Sequence, residues 1–201
     1  TAFFPDLGLA LIREGWEEGG VAVMFKCAPY GGLTLNEFRN EHDGRYINVA
    51  HDDPDANSFL ICADEKLLAE TSRYSKKKLT ANHNTLLVNG NGQRGEGEGW
   101  TQPLRGDMTD MAYVTAWKDA GDVVVVEGEA GGAYGELDRY RRTFIWVKGG
   151  YVLILDDIRA KRRARLEWLV QSGDVESVKD GNDSQRGDAA AGLARSVAPG
   201  Q

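Results

Sequence analysis

An all-β fold is predicted from three features of this 201-residue sequence. Glycine contributes 25 residues, about 12% against a usual share of roughly 7%, which indicates many turns. Between the turns, short runs alternate apolar and polar residues with a period of two, as expected of strands that bury one face. No long amphipathic helical stretch interrupts these runs.

The first strands predicted are residues 7–14 and 21–27, an antiparallel pair joined at Gly19-Gly20. In the second strand the apolar residues recur at every other position and are expected to face the core. Residues 33–46 are mixed and polar, and we interpret them as a loop in which His42 is solvated.

Further strands are predicted along the rest of the chain at residues 58–62, 65–70, 85–88, 111–117, 122–127, 138–147, 151–158 and 166–171. The clearest hairpin joins the two strands that flank Lys148-Gly149-Gly150. Four consecutive valines at 123–126 favour a strand buried on both faces. Beyond residue 175 the chain is small and polar, which predicts a tail or incomplete further strands over residues 176–201.

The predicted hairpin also carries the densest basic patch on any predicted strand, at Arg139, Arg141 and Arg142. Neighbouring carboxylates at Asp138, Asp156 and Asp157 lie close enough to neutralise it. We therefore interpret these arginines as structural ion-pair partners rather than as a polyanion surface.

Composition limits the partners. A net charge of -7 argues against nucleic acid, because phosphate binding requires clustered Lys and Arg. No run approaches the roughly 18 apolar residues of a membrane span. The only cysteines, Cys27 and Cys62, define no disulfide framework, and free buried thiols are favoured over a bridge. The first residue is not Met and no signal segment follows, so we expect the natural N-terminus to lie upstream.

Residues 51–93 hold the densest group of chemically capable side chains. Four of them, His51, Asp53, Glu70 and His83, have the imidazole and carboxylate donors that zinc and similar divalent cations prefer. Adjacent strands ending at the same edge would allow them to converge. In the alternative interpretation, the acidic residues around Pro54 are turn formers and the histidines are simply packed.

The glycine-rich loop at residues 89–105 carries candidate ligand contacts. Trp100 is either a platform on which a ring of the ligand stacks or a lid over one edge of the sheets. Arg94 and Arg105 could bind a carboxylate of the ligand in a bidentate manner, although such arginines are more often plain surface charges.

Two runs carry a family resemblance: residues 51–59, His-Asp-Asp-Pro-Asp-Ala-Asn-Ser-Phe, and residues 83–93, His-Asn-Thr-Leu-Leu-Val-Asn-Gly-Asn-Gly-Gln. They resemble the β-sandwich domain of the heparinase II/III-like polysaccharide lyases, which include alginate and glycosaminoglycan lyases. The likeness extends over about residues 4–172. It implies an antiparallel β-sandwich of two large sheets over residues 1–175.

By this resemblance His51 lies against the substrate as the catalytic residue from this domain, while Asp53, Glu70 and His83 hold a divalent ion. Zinc is the expected ion, with calcium or manganese as alternatives. The family's pattern has histidine at the place of Asp53, so the metal is retained through oxygen, changed or lost. Gln171 also stands where related sequences often have histidine.

The resemblance further implies an N-terminal (α/α) toroid, absent from this sequence, that supplies other catalytic groups. The expected function is cleavage of a 4-linked uronate polysaccharide by β-elimination, with alginate favoured and a glycosaminoglycan second. The acidic polysaccharide and the toroid are the expected partners, and a periplasmic or secreted location is expected. The alternative is a non-catalytic carbohydrate-binding or structural β-sandwich with a bound cation.

Overall fold

The predicted all-β, antiparallel sandwich is confirmed in a computed structural model of the chain. The structure describes residues 1–42, 51–63, 66–69, 77–97 and 107–171, together with three short strands at 177–179, 183–185 and 192–195. Within these residues, regular structure consists of strands, one α-helix and two single-turn 3₁₀ helices, at Thr80–Asn82 and Gly131–Ala133.

The strands and the helix are, in chain order, β1 (Ala2–Phe4), β2 (Leu9–Arg13), β3 (Ala22–Lys26), α1 (Leu33–Glu41), β4 (Ser58–Ala63), β5 (Lys66–Ala69), β6 (Leu86–Val88), β7 (Tyr113–Asp119), β8 (Val123–Glu129), β9 (Leu137–Val147), β10 (Tyr151–Ala160), β11 (Leu166–Val170), β12 (Ser177–Lys179), β13 (Asp183–Gln185) and β14 (Gly192–Arg195).

Two antiparallel sheets form the body of the sandwich. One has the order β1-β2-β3-β4-β5, and the other has the order β10-β9-β8-β7. A three-stranded sheet, β14-β11-β6, adds to them, and β12 pairs with β13. The predicted hairpin is present as β9 and β10, which are paired from Val147 and Tyr151 outward.

Aromatic rings from both large sheets fill the space between them. Phe25 on β3 and Phe59 on β4 lie with ring centroids 6.1 Å and 5.8 Å from that of Phe144 on β9. All three side chains are buried, and burying each contributes roughly 1.5–3 kcal/mol. This packing holds β3 and β4, and hence the loop that enters β4, in fixed relation to the second sheet.

Arg142 on β9 is a charged centre within this core. Its side chain is fully buried. The guanidinium binds both carboxylate oxygens of Asp156, at 2.8 Å and 2.7 Å, and donates to the backbone oxygens of Asn57 and Asn84, at 2.8 Å and 2.9 Å. Trp168 donates from Nε1 to the same Asp156 at 3.0 Å. The cation therefore joins β9 and β10 to the chain segments that precede β4 and β6.

The predicted pairing of the basic patch with carboxylates is confirmed for Arg139 and Arg142, whereas Arg141 pairs with glutamates of β8 and Asp138 lies 3.8 Å from Arg159 instead. Arg139 binds Asp157 at 2.5 Å, and Arg141 lies 3.6–3.7 Å from carboxylate oxygens of Glu127 and Glu129. These groups neutralise one another on the sheet, so the patch is structural.

Residues 33–41 correct the interpretation of 33–46 as a loop, because they form α1. The helix begins where Asp6, distant in sequence, accepts hydrogen bonds from the backbone N–H groups of Leu33, through its carbonyl at 2.9 Å, and Thr34, through its carboxylate at 2.7 Å. These bonds satisfy donors that a helix N-terminus leaves unpaired. His42, at the helix end, is exposed as predicted and stacks on Phe38.

The valine run was expected to be buried on both faces, and this was wrong. Val124 and Val126 are fully buried, whereas Val123 and Val125 on the opposite face are only partly covered. β8 is central in its sheet, but the sheet packs on one side only, so β-branched content reflected strand propensity rather than two buried faces.

Both cysteines are free thiols. Cys27 is fully buried, and burial raises the pKa of its thiol to about 12; Cys62 is half-buried. The expectation of unbridged cysteines is confirmed. Among the described residues, no helix has both the length and the apolar character needed to span a membrane.

Candidate functional site

The loop at residues 51–55, which leads into β4, is held by a partly buried lysine of β3. Lys26 Nζ lies 2.6 Å from Asp52 Oδ1 and 2.8 Å from Asp55 Oδ1. Asp52 also accepts a hydrogen bond from the Gly31 N–H at 2.6 Å. The loop is thereby fixed both to the sheet and to the turn that precedes α1, and it presents His51 at its exposed end.

The two carboxylates that share Lys26 are not equivalent. Burial raises the pKa of Asp55, and the neighbouring Asp52 adds to the effect, while Lys26 only partly offsets it. The pKa of Lys26 is itself raised, because the two carboxylates outweigh its desolvation. One ammonium thus holds two acidic groups together at the base of the loop.

Asp53 points to a different cation. Its Oδ2 lies 3.2 Å from Lys78 Nζ, and its Oδ1 lies 3.6 Å from His83 Nε2. Partial burial works to raise the pKa of Asp53, but His83 and Lys78 outweigh it and hold the pKa below its usual value. The structure therefore brings together Asp53 and His83, two of the predicted metal ligands.

His83 is buried, with 5% of its surface exposed. Neither ring nitrogen has a hydrogen-bond partner among the residues that the structure describes, since 3.6 Å to Asp53 exceeds hydrogen-bond length. Buried polar atoms are nearly always satisfied in folded proteins. An imidazole left in this condition beside a carboxylate is a candidate ligand.

The segment that carries Lys78 and His83 rests on the loop at residues 92–97. Thr80 donates from its backbone N–H to Glu96 Oε2 at 3.0 Å and accepts from the Gln93 N–H through Oγ1 at 2.8 Å. The His83 N–H bonds back to the Thr80 carbonyl at 3.0 Å, closing the 3₁₀ turn. These bonds set the positions from which both side chains approach Asp53.

Gly92 is required for this contact between loops. A Cβ at this position would lie 1.6 Å from Glu96 Oε2 and 2.4 Å from Thr80 Oγ1. Any other residue would push apart the two groups that hold the 3₁₀ turn.

The Asp53–His83 pair fits a divalent ion in its geometry and chemistry. Two ligands about 2.0–2.2 Å from a tetrahedral zinc ion lie roughly 3.3–3.6 Å apart, in agreement with the 3.6 Å between His83 Nε2 and Asp53 Oδ1. Within the described part of the chain, no three His, Cys, Asp or Glu side chains converge on one point. Glu70, the third predicted ligand, lies outside the described residues.

Of the three predicted sugar contacts, Arg94 is the one that lies within the described residues. Arg94 donates to the backbone oxygens of Gly132 and Asp107, at 3.2 Å and 2.7 Å, and lies 3.4 Å from an Asp110 carboxylate oxygen. About a third of its side chain is exposed, so a carboxylate contact at Arg94 stays a prediction. Trp100 and Arg105 lie outside the described residues.

Sequence reasoning missed Lys78 and the role of Gln171. Lys78 ends a run of three lysines, a pattern typical of a solvated surface, yet its side chain is only 2% exposed. Gln171 follows β11 and binds the segment that holds His83, donating to the Ala81 carbonyl at 2.7 Å and to Asn84 Oδ1 at 2.5 Å. No local signal marks either contact, because both join segments distant in sequence.

The family model of heparinase II/III-like C-terminal domains matches residues 1–196. Among solved structures, a heparinase III gene product superposes with a TM-score of 0.60 at 15% sequence identity, covering 89% of this chain and 25% of that one. A heparan sulfate lyase from Pedobacter heparinus gives 0.59 at 16%, covering 88% and 25%. Another heparinase III structure gives 0.58 at 14%, covering 89% and 26%.

These structural similarities, at such low identity, show the fold. The chain spans about a quarter of the length of the structures that it matches. No curated protein sequence gives a significant match.

Proposed function

This chain belongs to the heparinase II/III-like C-terminal domain family, and from that premise we propose that it is the β-sandwich domain of a polysaccharide lyase. The proposed substrate is an acidic polysaccharide that contains 4-linked uronate. The proposed reaction is β-elimination, carried out together with an N-terminal toroid in the full-length protein.

The reaction defines what the residues must do. A base removes the proton on C5 of the uronate, the C4–O bond breaks, and the electron pair forms the C4–C5 double bond. An acid then protonates the departing oxygen. Charge that develops on the C6 carboxylate must be neutralised for the proton to leave. His51 is proposed as the base or the neutralising group from this domain.

The observation that supports this assignment is that His51 is exposed at the end of a loop whose carboxylates form ion pairs with two lysines. Asp52 and Asp55 are held by Lys26, at 2.6 Å and 2.8 Å, and Asp53 is held by Lys78 at 3.2 Å. A loop so constrained presents its terminal imidazole in a defined position. Placing a catalytic group in advance of substrate binding is a large part of what a site contributes.

A divalent ion is proposed as the cofactor, bound by Asp53 and His83, with Glu70 as the third ligand. Imidazole favours zinc over calcium or manganese. When bound, the ion would supply a structural link that orients the segment around residue 83 against the loop. His51 would act on substrate from the exposed end of that loop.

Two considerations bear on which uronate polymer is the substrate, and they favour different polymers. The names of the matched structures point to heparan sulfate or a related glycosaminoglycan, whereas sulfate recognition calls for more cationic surface than a chain of net charge -7 provides. Alginate, which carries carboxylate alone, was favoured from sequence for that reason. Both polymers therefore belong in the test.

The test is turnover by the full-length protein on heparan sulfate and alginate side by side, read from the ultraviolet absorbance of unsaturated uronate product. His51→Ala is expected to lower kcat on the order of 10²–10⁴-fold, as is usual for a general base or acid. His42→Ala is the matched control, since His42 is also exposed but stacks on Phe38 at the end of α1, and its turnover should be unchanged.

Unchanged turnover in the His51 variant would contradict the catalytic assignment. It would favour the second candidate, a non-catalytic carbohydrate-binding or structural domain. One observation supports that alternative, because Asp52, Asp53 and Asp55 all engage lysines of the same chain. The alternative predicts binding of polymer without any unsaturated product from wild type or variant.

A further inference from the structure

The Asp53–His83 site contains a cation of its own. Lys78 Nζ lies 3.2 Å from Asp53 Oδ2, and its side chain is almost completely buried. His83 approaches the other oxygen of the same carboxylate. The ammonium and the imidazole thus approach opposite oxygens of one acidic group.

We propose that the Lys78 ammonium is the resident cation of this site, holding Asp53 in place without metal and competing with a divalent ion for that carboxylate. This inference rests on the proposed metal binding by Asp53 and His83. It goes beyond that proposal, because it assigns to a lysine part of the structural role that would otherwise need the metal.

The position of Lys78 is built into the fold. Its carbonyl accepts a hydrogen bond from the Gly97 N–H at 2.5 Å. Two residues on, Thr80 is held by Gln93 and Glu96. The fastened backbone keeps the Lys78 side chain near Asp53, and the burial of that side chain makes an unpaired ammonium there costly.

Competition follows from charge. A metal bound by Asp53 and His83 would stand close to the Lys78 ammonium, and like charges at such distances repel strongly in a partly buried site. The lysine also binds Oδ2 of the same carboxylate whose Oδ1 the ion would use. Removing its charge should therefore tighten metal binding while weakening the metal-free protein.

Lys26 provides the matched control. It is a partly buried lysine of β3 that is bound to Asp52 and Asp55 of the same loop rather than to Asp53. Replacing it disturbs the loop to a similar degree but leaves the cation at Asp53 in place. An effect specific to Lys78 is thereby separated from general loosening of the loop.

The experiment uses zinc and the full-length protein, with Lys78→Met, Lys78→Gln and Lys26→Met. Zinc dissociation constants are measured by competition with a chromophoric chelator, and thermal midpoints are recorded in EDTA and in excess zinc. We expect zinc to bind the Lys78 variants on the order of tenfold more tightly than wild type or more, and Lys26→Met to show no such gain. In EDTA the Lys78 variants should unfold at a lower temperature than wild type, and excess zinc should raise their midpoint by more than it raises that of wild type.

Equal zinc affinity in wild type and the Lys78 variants would overturn the competition, while zinc binding by both would leave the proposed metal site standing. Absence of zinc binding in all variants would overturn the inference and the proposed metal together. If Lys78→Met fails to fold, Lys78→Gln retains a donor to Asp53. A rise in midpoint with zinc that is as large in wild type as in the Lys78 variants would show that the ion, not Lys78, holds the site.

Discussion

Arg142 and Lys78 are both buried, but they differ in how many of the polar groups around them have hydrogen-bond partners. Arg142 binds both oxygens of Asp156 and two backbone carbonyls. Aromatic rings of Phe59, Tyr140 and Trp168 surround it at 5.4–5.6 Å. Lys78 instead lies beside a half-exposed Asp53 and a His83 whose ring nitrogens lack hydrogen-bond partners within the described chain.

This difference indicates which of the two regions only stabilises the fold and which could also bind a ligand. A buried charge with a bidentate partner and satisfied neighbours has no capacity left for a ligand. A buried imidazole with two unpaired nitrogens retains that capacity and is not explained by stability alone. The Arg142 centre therefore belongs to the core, and the Asp53–His83 site is where an added ion or group would find partners.

The largest expected effect would follow from removing the satisfied cation. Arg142→Met leaves Asp156 buried without its partner and two carbonyls without donors, so it should destabilise the fold by roughly 3–5 kcal/mol. Equilibrium denaturant unfolding measures the loss. Arg139→Gln is the control, because Arg139 pairs with Asp157 at the surface, and its unfolding midpoint should scarcely move. Similar midpoints for both variants would show that Arg142 stabilises the fold no more than a surface ion pair does.

An intermediate effect is expected at Gln93, which joins the two regions. Its side chain binds the backbone N–H and carbonyl of Ala56, at 3.0 Å and 2.9 Å, while its own N–H binds Thr80 near the site. Gln93→Leu should leave the buried Ala56 N–H unpaired, although the Ala56 carbonyl keeps its hydrogen bond from Thr85 Oγ1, and should destabilise the fold by about 1–3 kcal/mol.

Asn91→Ala is the matched comparison for Gln93, since its side chain bonds Glu136 at the surface. Thermal unfolding of both variants provides the measurement. If the Gln93 variant is as stable as wild type, the hydrogen bonds of Gln93 do not stabilise the contact between the segment that carries His83 and the core.

The smallest effect concerns Asp107, an exposed residue whose carbonyl accepts a hydrogen bond from Arg94. Hydrogen bonds from the Thr109 hydroxyl, from Asn40 on α1 and from the Thr109 N–H lower the pKa of Asp107 to about 2. Because the pKa is lower in the folded state, the stabilisation is present above about pH 4. It is lost as the pH falls from there towards 2.

Unfolding free energies of wild type and Asp107→Asn, measured between those pH values, should converge as the carboxyl is protonated. The difference should be small throughout, since the group is solvent-exposed. A gap between the two proteins that widens with acid would contradict this sign.

Most of the strands could be predicted because their signals are local. The hairpin of β9 and β10 combines alternating side chains with Gly149, whose φ of 68° suits a turn. Helix α1 could not be predicted, because Asp6 satisfies its first N–H groups from a separate part of the chain. Most residues of the helix are polar, and the N-cap residue, Gly32, has no side chain that could accept a hydrogen bond from the first turn.

The candidate site divides in the same manner. Asp53 and His83 were predicted, with Glu70, as members of one metal-ligand set, and the structure places Oδ1 of Asp53 3.6 Å from Nε2 of His83. Lys78 was missed because a run of three lysines has the pattern of a solvated surface. Whether Glu70, Trp100 and Arg105 join this site stays a prediction.

What the sequence alone determined is the class of fold, the positions of most strands, the family and the residue types available for chemistry. These depend on periodicity, turn residues and short motifs, all of which act over a few neighbouring positions. Only the tertiary structure decided which lysine meets which carboxylate and which imidazole is left unsatisfied. Such pairings depend on desolvation and on contacts between distant segments, and neither is encoded in local pattern.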